Sequence, residues 1–267
     1  MPPFAGKAVV VTGASSGIGR ALCLELARQR PRLVLAARDG VRLEEVALGC
    51  QKLGAETLVV KADVGSLEDC RHLIERTVER FAALDVLVNN AGIGMIARFD
   101  ELSDLSVYER LIRVNYLSCV YLTHEALPHL KKSRGLIVAV ASLAGLTGVP
   151  TRTGYAASKH AVIGFFDSLR IELIGTGIGV SIVCPDFVVS EIHRRAIGAN
   201  GKALGRSPMQ ESRIMSSEEC ARQIARAMAR RERMLVMSLR GRLGRFVRLF
   251  APGLIDRVAR KAVREGK

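Results

Sequence analysis

Tyr155 and Lys159 stand four residues apart in Tyr155-Ala-Ala-Ser-Lys159, one turn apart on a helix. A free tyrosine has a pKa of about 10, which suits it poorly to proton transfer at neutral pH. An ammonium beside the phenol favours the phenolate and makes the pair an acid/base candidate. Ser142 lies 13 residues earlier and can donate to a substrate oxygen, stabilising charge that develops there. Such a trio suits a carbonyl–alcohol interconversion, in which a proton moves on or off oxygen while a hydride moves on or off carbon. Taken singly, each residue has an ordinary structural reading: a half-buried anchor, a helix-face lysine, a strand-end turn.

A second group of residues points to an anionic ligand. Thr12-Gly-Ala-Ser-Ser-Gly-Ile-Gly19 follows an apolar run and opens a helical pattern. Gly13 permits a tight turn, while Gly17 and Gly19 let backbone approach a pyrophosphate and let helix pack on strand. Ser15, Ser16 and Ile18 complete the loop, and the helix N-terminus presents unpaired N–H groups to the anion. The same residues match a G-x-S-x-G nucleophile elbow at Ser15. Only 12 residues precede Gly13, too few for the strands and oxyanion loop an elbow requires. Arg38 follows the second strand, 19 positions after Gly19, where it can pair a 2′-phosphate. NADP(H) is therefore the preferred cofactor. Asp39, next along the chain, keeps NAD(H) as the alternative because a carboxylate can bond the ribose instead.

Apolar β-branched runs must position these groups. They fall at residues 8–12, 33–37, 57–61, 86–89, 136–141 and 180–184, with a seventh at 234–237. Helical patterns separate them, including long ones over 105–130 and 155–174, and Ser66-Leu-Glu-Asp69 and Ser216-Ser-Glu-Glu219 read as helix caps. Strands apolar throughout and alternating with helices imply an α/β fold. The expectation is a single Rossmann-type, doubly wound parallel sheet of about seven strands with helices on both faces. The main domain spans 1–238, and a basic amphipathic helical tail spans 239–267.

Further motifs fall in register with these. Asn89-Asn90-Ala91-Gly92 ends the fourth strand, Asn115 sits mid-helix, and Pro185 ends the sixth strand. Together with Thr12–Gly19, Ser142, Tyr155 and Lys159, this set resembles the short-chain dehydrogenase/reductase family over about residues 6–237. The resemblance implies a catalytic set of Ser142, Tyr155, Lys159 and Asn115, with Asn115 holding a water that links Lys159 to solvent. It implies that Lys159 grips the nicotinamide ribose and that Asp63 and Val64 flank the adenine. It also places Asn90, Ala91 and Gly92 along the cofactor, and Pro185 and Val188 about the nicotinamide. The family commonly has Pro-Gly after the sixth strand, whereas this chain has Pro185-Asp186. The alternative to an enzyme is a catalytically silent NADP(H)-binding regulator or a membrane-associated interaction protein.

Residues 187–215 should form a lid containing Phe187, Ile192, Ile197, Leu204, Met209 and Met215, with Ile93, Met95, Ile96 and Phe99 on another wall. Such walls fit an apolar small-molecule carbonyl or alcohol, lipid-like or steroid-like, or a 3-ketoacyl group. Apolar positions on the two long helices (Leu117, Val120 and Leu122; Ile163, Phe166 and Leu169) suggest a homodimer or homotetramer.

The 267 residues carry a net charge of +14, placed unevenly. Residues 190–267 hold 19 Lys and Arg against 7 Asp and Glu. In the tail, Leu239, Leu243, Phe246 and Phe250 share one helical face, opposite Arg242, Arg245 and Arg248. That pattern allows peripheral contact with an anionic membrane, or packing of the apolar face on the domain. Nucleic acid is not expected, with aromatics at 4% and no recognition motif. The six cysteines and five histidines match no metal template, so no metal is expected. With no apolar stretch near the ~20 residues of a membrane span and no leader pattern at the start, the expectation is a cytoplasmic protein.

Overall fold

Successive residues of a strand point to opposite faces of its sheet, and in this chain both faces are covered. Val9 and Val11 enter one apolar cluster while Ala8 and Val10 enter another, and Leu33 and Leu35 divide from Val34 and Ala36 in the same way. A strand buried on both sides reads as a continuous apolar run, which is why periodicity alone marks these segments so clearly. The computed structural model describes residues 2–264. Its strands are β1 (Ala8–Thr12), β2 (Arg32–Ala37), β3 (Glu56–Lys61), β4 (Val86–Asn89), β5 (Leu136–Val140), β6 (Gly179–Cys184) and β7 (Met234–Val236). All pair in parallel in the order β3-β2-β1-β4-β5-β6-β7.

The helices are α1 (Gly17–Ala27), α2 (Gly40–Lys52), α3 (Leu67–Phe81), α4 (Ser106–Ile112), α5 (Ser118–Ser133), α6 (Thr153–Glu172), α7 (Ser217–Ala229), α8 (Leu239–Phe250) and α9 (Pro252–Arg264). Leu22, Leu26, Leu43, Val46, Ile224 and Met228 bring α1, α2 and α7 onto one face. Leu73, Ile74, Leu122, Leu130, Phe166 and Leu169 bring α3, α5 and α6 onto the other. Ser66 caps α3 by accepting from the Asp69 N–H at 3.2 Å, and Ser216 caps α7 by accepting from the Glu219 N–H at 3.1 Å. No helix among the described residues is long and apolar enough to cross a membrane.

Two details differ from the sequence reading. The helical stretch expected over 105–130 is interrupted: α4 passes into a π-helical turn at Arg113–Leu117 before α5 begins. A π turn disturbs the regular hydrogen-bond ladder and is frequent at functional sites. In addition, four of the apolar residues offered for an interface are spent inside the same chain. Leu122 and Phe166 are fully buried, and Ile163 and Leu169 nearly so. Only Leu117 and Val120 of that group remain partly open. The thiols are consumed by packing as well. All six cysteines are buried and unpaired, and burial pushes Cys184 and Cys220 up to about 12, so they stay protonated.

Phe166 is the largest wholly buried side chain, and its ring meets Phe165 edge-on at 4.9 Å between centroids. Phe166→Ala should cost about 3–5 kcal/mol, because the cavity left behind cannot fully collapse. In a thermal scan that amounts to a Tm lower by about 10 °C for a domain of this size. A change of only a degree or two would mean that α6 resettles onto the sheet.

Candidate active site

The chain leaves β1 toward one edge of the sheet and β4 toward the other. The reversal opens a crevice at the carboxyl ends of these two strands. Thr12 ties the ends together, and its hydroxyl is saturated. It donates to the Val88 carbonyl at 3.2 Å and accepts from the N–H groups of Asn90 at 3.0 Å and Ala91 at 3.1 Å. Asn90 returns a side-chain bond to the Thr12 carbonyl at 2.8 Å.

Gly13 and Gly17 take φ of +67° and +52°, the left-handed region that side chains disfavour. Gly19 is required by space instead, since a Cβ there would lie 2.3 Å from the Gly13 carbonyl oxygen. The hydroxyl of Ser16, at the N-cap of α1, makes no capping bond, so the first N–H groups of the helix keep their capacity for an anion. Gly13, Ser15, Ser16, Gly17 and Ile18 line a cavity of about 390 Å³ that continues past Arg38, Asp63, Val64, Asn90, Ala91 and Gly92. A glycine cradle, an open helix end and an extended crevice fit a dinucleotide.

Arg38 and Asp39 divide their work. Asp39 caps α2, accepting from the Arg42 N–H at 3.1 Å, and its carboxylate lies 3.5 Å from the Arg42 guanidinium. Arg38 stands exposed on the cavity wall. At the end of β3, the Asp63 carboxylate accepts from the Gly65 N–H at 2.9 Å, while Val64 is buried beside it.

Ser142 follows β5, and Tyr155 and Lys159 lie on the first turns of α6, so all three reach the same cavity. The Ser142 hydroxyl accepts from the Ala144 N–H at 3.2 Å. Lys159 is buried, donates to the Val140 carbonyl at 2.8 Å, and holds its ammonium 5.9 Å from the centre of the Tyr155 ring. Asn115 occupies the π turn, and its amide is committed to protein partners. It accepts from the Ile93 N–H at 2.8 Å and donates to the Ile93 carbonyl at 3.0 Å and to Ser158 at 2.9 Å. It thereby fixes the segment after β4 to α6, one residue from Lys159.

Pro185 accepts from the Leu143 N–H at 2.9 Å, and Val188 is buried at the cavity wall. The residue directly after Pro185 acquires a partner that the sequence did not suggest. Asp186 receives two bonds from Arg240 of α8, at 2.6 and 2.8 Å. Glycine could not make this latch. Gly241 lets α8 come close behind it, since a Cβ there would sit 2.5 Å from a Leu143 methyl.

The cavity walls also differ from expectation. Ile93, Phe187, Val188 and Ile192 line the main cavity, but Met95 and Ile96 border only a small neighbouring one, and Phe99 projects into solvent. Ile197, Leu204, Met209 and Met215 do not line the main cavity; Ile197 joins a buried cluster with Met95 and Tyr155, and Met215 bridges to Val188. Leu143, Leu146, Val149 and Arg152 take their place, together with Ile255, Val258, Ala259 and Val263 of α9. Arg152, one turn before Tyr155, could have been noticed from spacing alone. The contribution of α9 could not, because it depends on where the tail folds back.

The comparisons agree with this geometry. Residues 7–199 match the family model for short chain dehydrogenase. A "Dehydrogenase/reductase SDR family protein 7-like" of Dictyostelium discoideum is 35% identical over 97% of this chain and 82% of its own length. An "11-beta-hydroxysteroid dehydrogenase A" of Sesamum indicum is 38% identical over 96% and 75%. Among solved structures, a short-chain dehydrogenase/reductase of Burkholderia phymatum in complex with NAD superposes with a TM-score of 0.84, at 27% identity over 95% of this chain and 96% of that one. An alcohol dehydrogenase of Thermococcus sibiricus complexed with 5-hydroxy-NADP gives 0.71, at 29% identity over 82% and 88%. With its Rossmann-type sheet and glycine loop, this chain belongs to the short-chain dehydrogenase/reductase family of NAD(P)-dependent oxidoreductases.

Proposed function

We propose that the protein is an NADP(H)-dependent enzyme that interconverts an apolar, steroid-like ketone and its secondary alcohol. The observation that carries this reading is the meeting of Ser142, Tyr155 and Lys159 in one largely apolar cavity whose far end is the glycine loop. In the reducing direction, Tyr155 gives its phenolic proton to the carbonyl oxygen while Ser142 donates a hydrogen bond to the same atom. The nicotinamide, when bound, supplies the hydride. Lys159 stands 5.9 Å from the centre of the ring that gives up this proton. Asn115, through Ile93 and Ser158, keeps the walls on either side of Lys159 in register. The relatives named as 11-beta-hydroxysteroid dehydrogenases, in sesame and in Pinus massoniana, favour a steroid-like substrate over a 3-ketoacyl group.

Tyr155→Phe keeps the ring and removes the proton. It should leave NADPH binding intact and lower turnover on the best ketone about 10²–10⁴-fold. Retention of more than half the activity would reject Tyr155 as the acid, whereas a native protein that reduces nothing across a broad ketone panel would favour the silent regulator.

The cofactor preference rests on Arg38, whose neighbour Asp39 is engaged with α2 and Arg42. A charge-assisted pair with a 2′-phosphate is worth roughly 10–150-fold in affinity. Titration should show NADPH binding that much more tightly than NADH, and Arg38→Ala should bring the two together. Equal affinities in the native protein would show that Asp39 governs the site.

We further propose that the tail meets anionic membranes. Leu239, Leu243, Leu249 and Phe250 of α8 are exposed, Phe250 at 88%. Its arginines are exposed too, but some of them bond the domain below. Arg242 donates to the Val236 carbonyl and Arg248 to the Leu146 carbonyl. Arg257, Arg260 and Arg264 of α9 stand exposed as well. Apolar insertion with flanking charge is the physics of interfacial binding, and the charge component weakens with salt. The protein should co-sediment with phosphatidylserine vesicles at low salt, and Leu249→Asp with Phe250→Asp should release it. A native protein that stays in the supernatant would end this reading.

A further inference from the structure

Arg152 is a buried charge without a counter-ion. It is 8% exposed, lines the cavity, and sits at the N-cap of α6, three residues before Tyr155. Its guanidinium makes no hydrogen bond or ion pair among the described residues; its recorded contact is with the Phe187 ring, 5.2 Å from the centroid. Two other arginines of the cavity do have carboxylate partners, Arg240 in Asp186 and Arg195 in Glu191. His193, buried alongside, offers no charge of either sign. Burial and Arg152 itself draw its pKa down to about 4, and its ring bonds the Val188 carbonyl at 3.2 Å.

Burying a guanidinium costs free energy that a partner normally offsets. The N-terminus of α6 adds positive potential at the same place, so no compensation comes from the helix. Phe187, Val149 and Ile192 line the same cavity and offer it no charge. A compensating charge is therefore expected to come from what enters the cavity.

We propose that Arg152 is a carboxylate subsite, and that the natural substrate is an apolar ketone or alcohol bearing a carboxylate group. This rests on the reading of the cavity as the substrate site and narrows the substrate class within it. A single planar guanidinium among apolar walls matches a carboxylate, which it can hold with two parallel bonds. A phosphate dianion would call for more donors than one guanidinium supplies.

The test is equilibrium binding of decanoate and methyl decanoate to the NADP⁺-loaded protein. The acid should bind at least about tenfold more tightly than the ester, the scale of one charge-assisted hydrogen-bonded contact. Arg152→Met should erase that ratio, and Arg152→Lys should keep part of it. Cofactor binding checks that each variant is folded, and Arg152→Gln replaces the methionine variant if that one fails the check. Equal binding of acid and ester to the native protein, or a ratio that survives in Arg152→Met, overturns the proposal. So does an unchanged ratio accompanied by a shifted pH profile on a neutral ketone, which would make the guanidinium a partner of Tyr155. Turnover of neutral ketones with NADPH reports separately on the oxidoreductase reading.

Discussion

Helix α1 can approach β1 and β4 only because position 19 has no side chain. A Cβ at Gly19 would lie 2.3 Å from the Gly13 oxygen and 2.5 Å from the Asn90 amide nitrogen. That contact sets the distance between the first helix and the two central strands. It therefore sets the width of the crevice, because Thr12 and Asn90 join the same strand ends by hydrogen bonds. The parallel sheet does the rest. With every strand running one way, the segments after β1, β2, β3, β4, β5 and β6 emerge on one edge, and the cofactor and acid/base candidates come from those segments.

Electrostatics at that edge are arranged by commitment of charges as much as by their number. Asp39 is bound to the start of α2, Glu191 bridges Arg42 and Arg195, and Asp186 holds Arg240. Each acid near the crevice that could repel a phosphate or neutralise a cation is thus occupied, apart from Asp63, which is turned into its own loop. Arg38 at one end and Arg152 at the other keep unspent positive charge. A polyanionic ligand and a charged substrate would draw on different ends of the same cavity, so the two need not compete.

Much of this was legible in the sequence, for physical reasons. A doubly covered strand must be apolar on both faces, so the inner strands stood out as unbroken runs. The glycine loop and the Tyr155–Lys159 spacing are short-range patterns whose geometry is fixed by one turn and one helical repeat. The π turn at Asn115 was not legible, because the residues of Arg113–Leu117 carry the same apolar rhythm as the helix around them. The interface expectation failed for Leu122, Ile163, Phe166 and Leu169 for a related reason. A helix packed between a sheet and its neighbours buries more than one stripe, so breadth of apolar surface does not distinguish core from contact. The lid misled similarly, since Met209 and Met215 are apolar but do not line the cavity.

The tail shows where charge patterning departs from a simple reading. On an amphipathic helix beside a protein, the apolar face is expected to turn inward and the arginines outward. Helix α8 instead lays Gly241, Gly244 and Val247 on the domain and keeps its arginines exposed, several of them bonding acceptors on the surface beneath. The Asp186 carboxylate and the carbonyls of Val236 and Leu146 all receive arginine bonds. Satisfying those groups fixes the roll of the helix and leaves Leu239, Leu243, Leu249 and Phe250 outward. The same roll brings Gly241 and Gly244 over the cavity, and α9 then folds back so that Ile255 and Val258 become part of its wall. One set of polar contacts thus decides both which face the molecule shows to its surroundings and what closes its substrate site. A replacement of Asp186 by glycine, the residue common at this place in the family, would untie both at once.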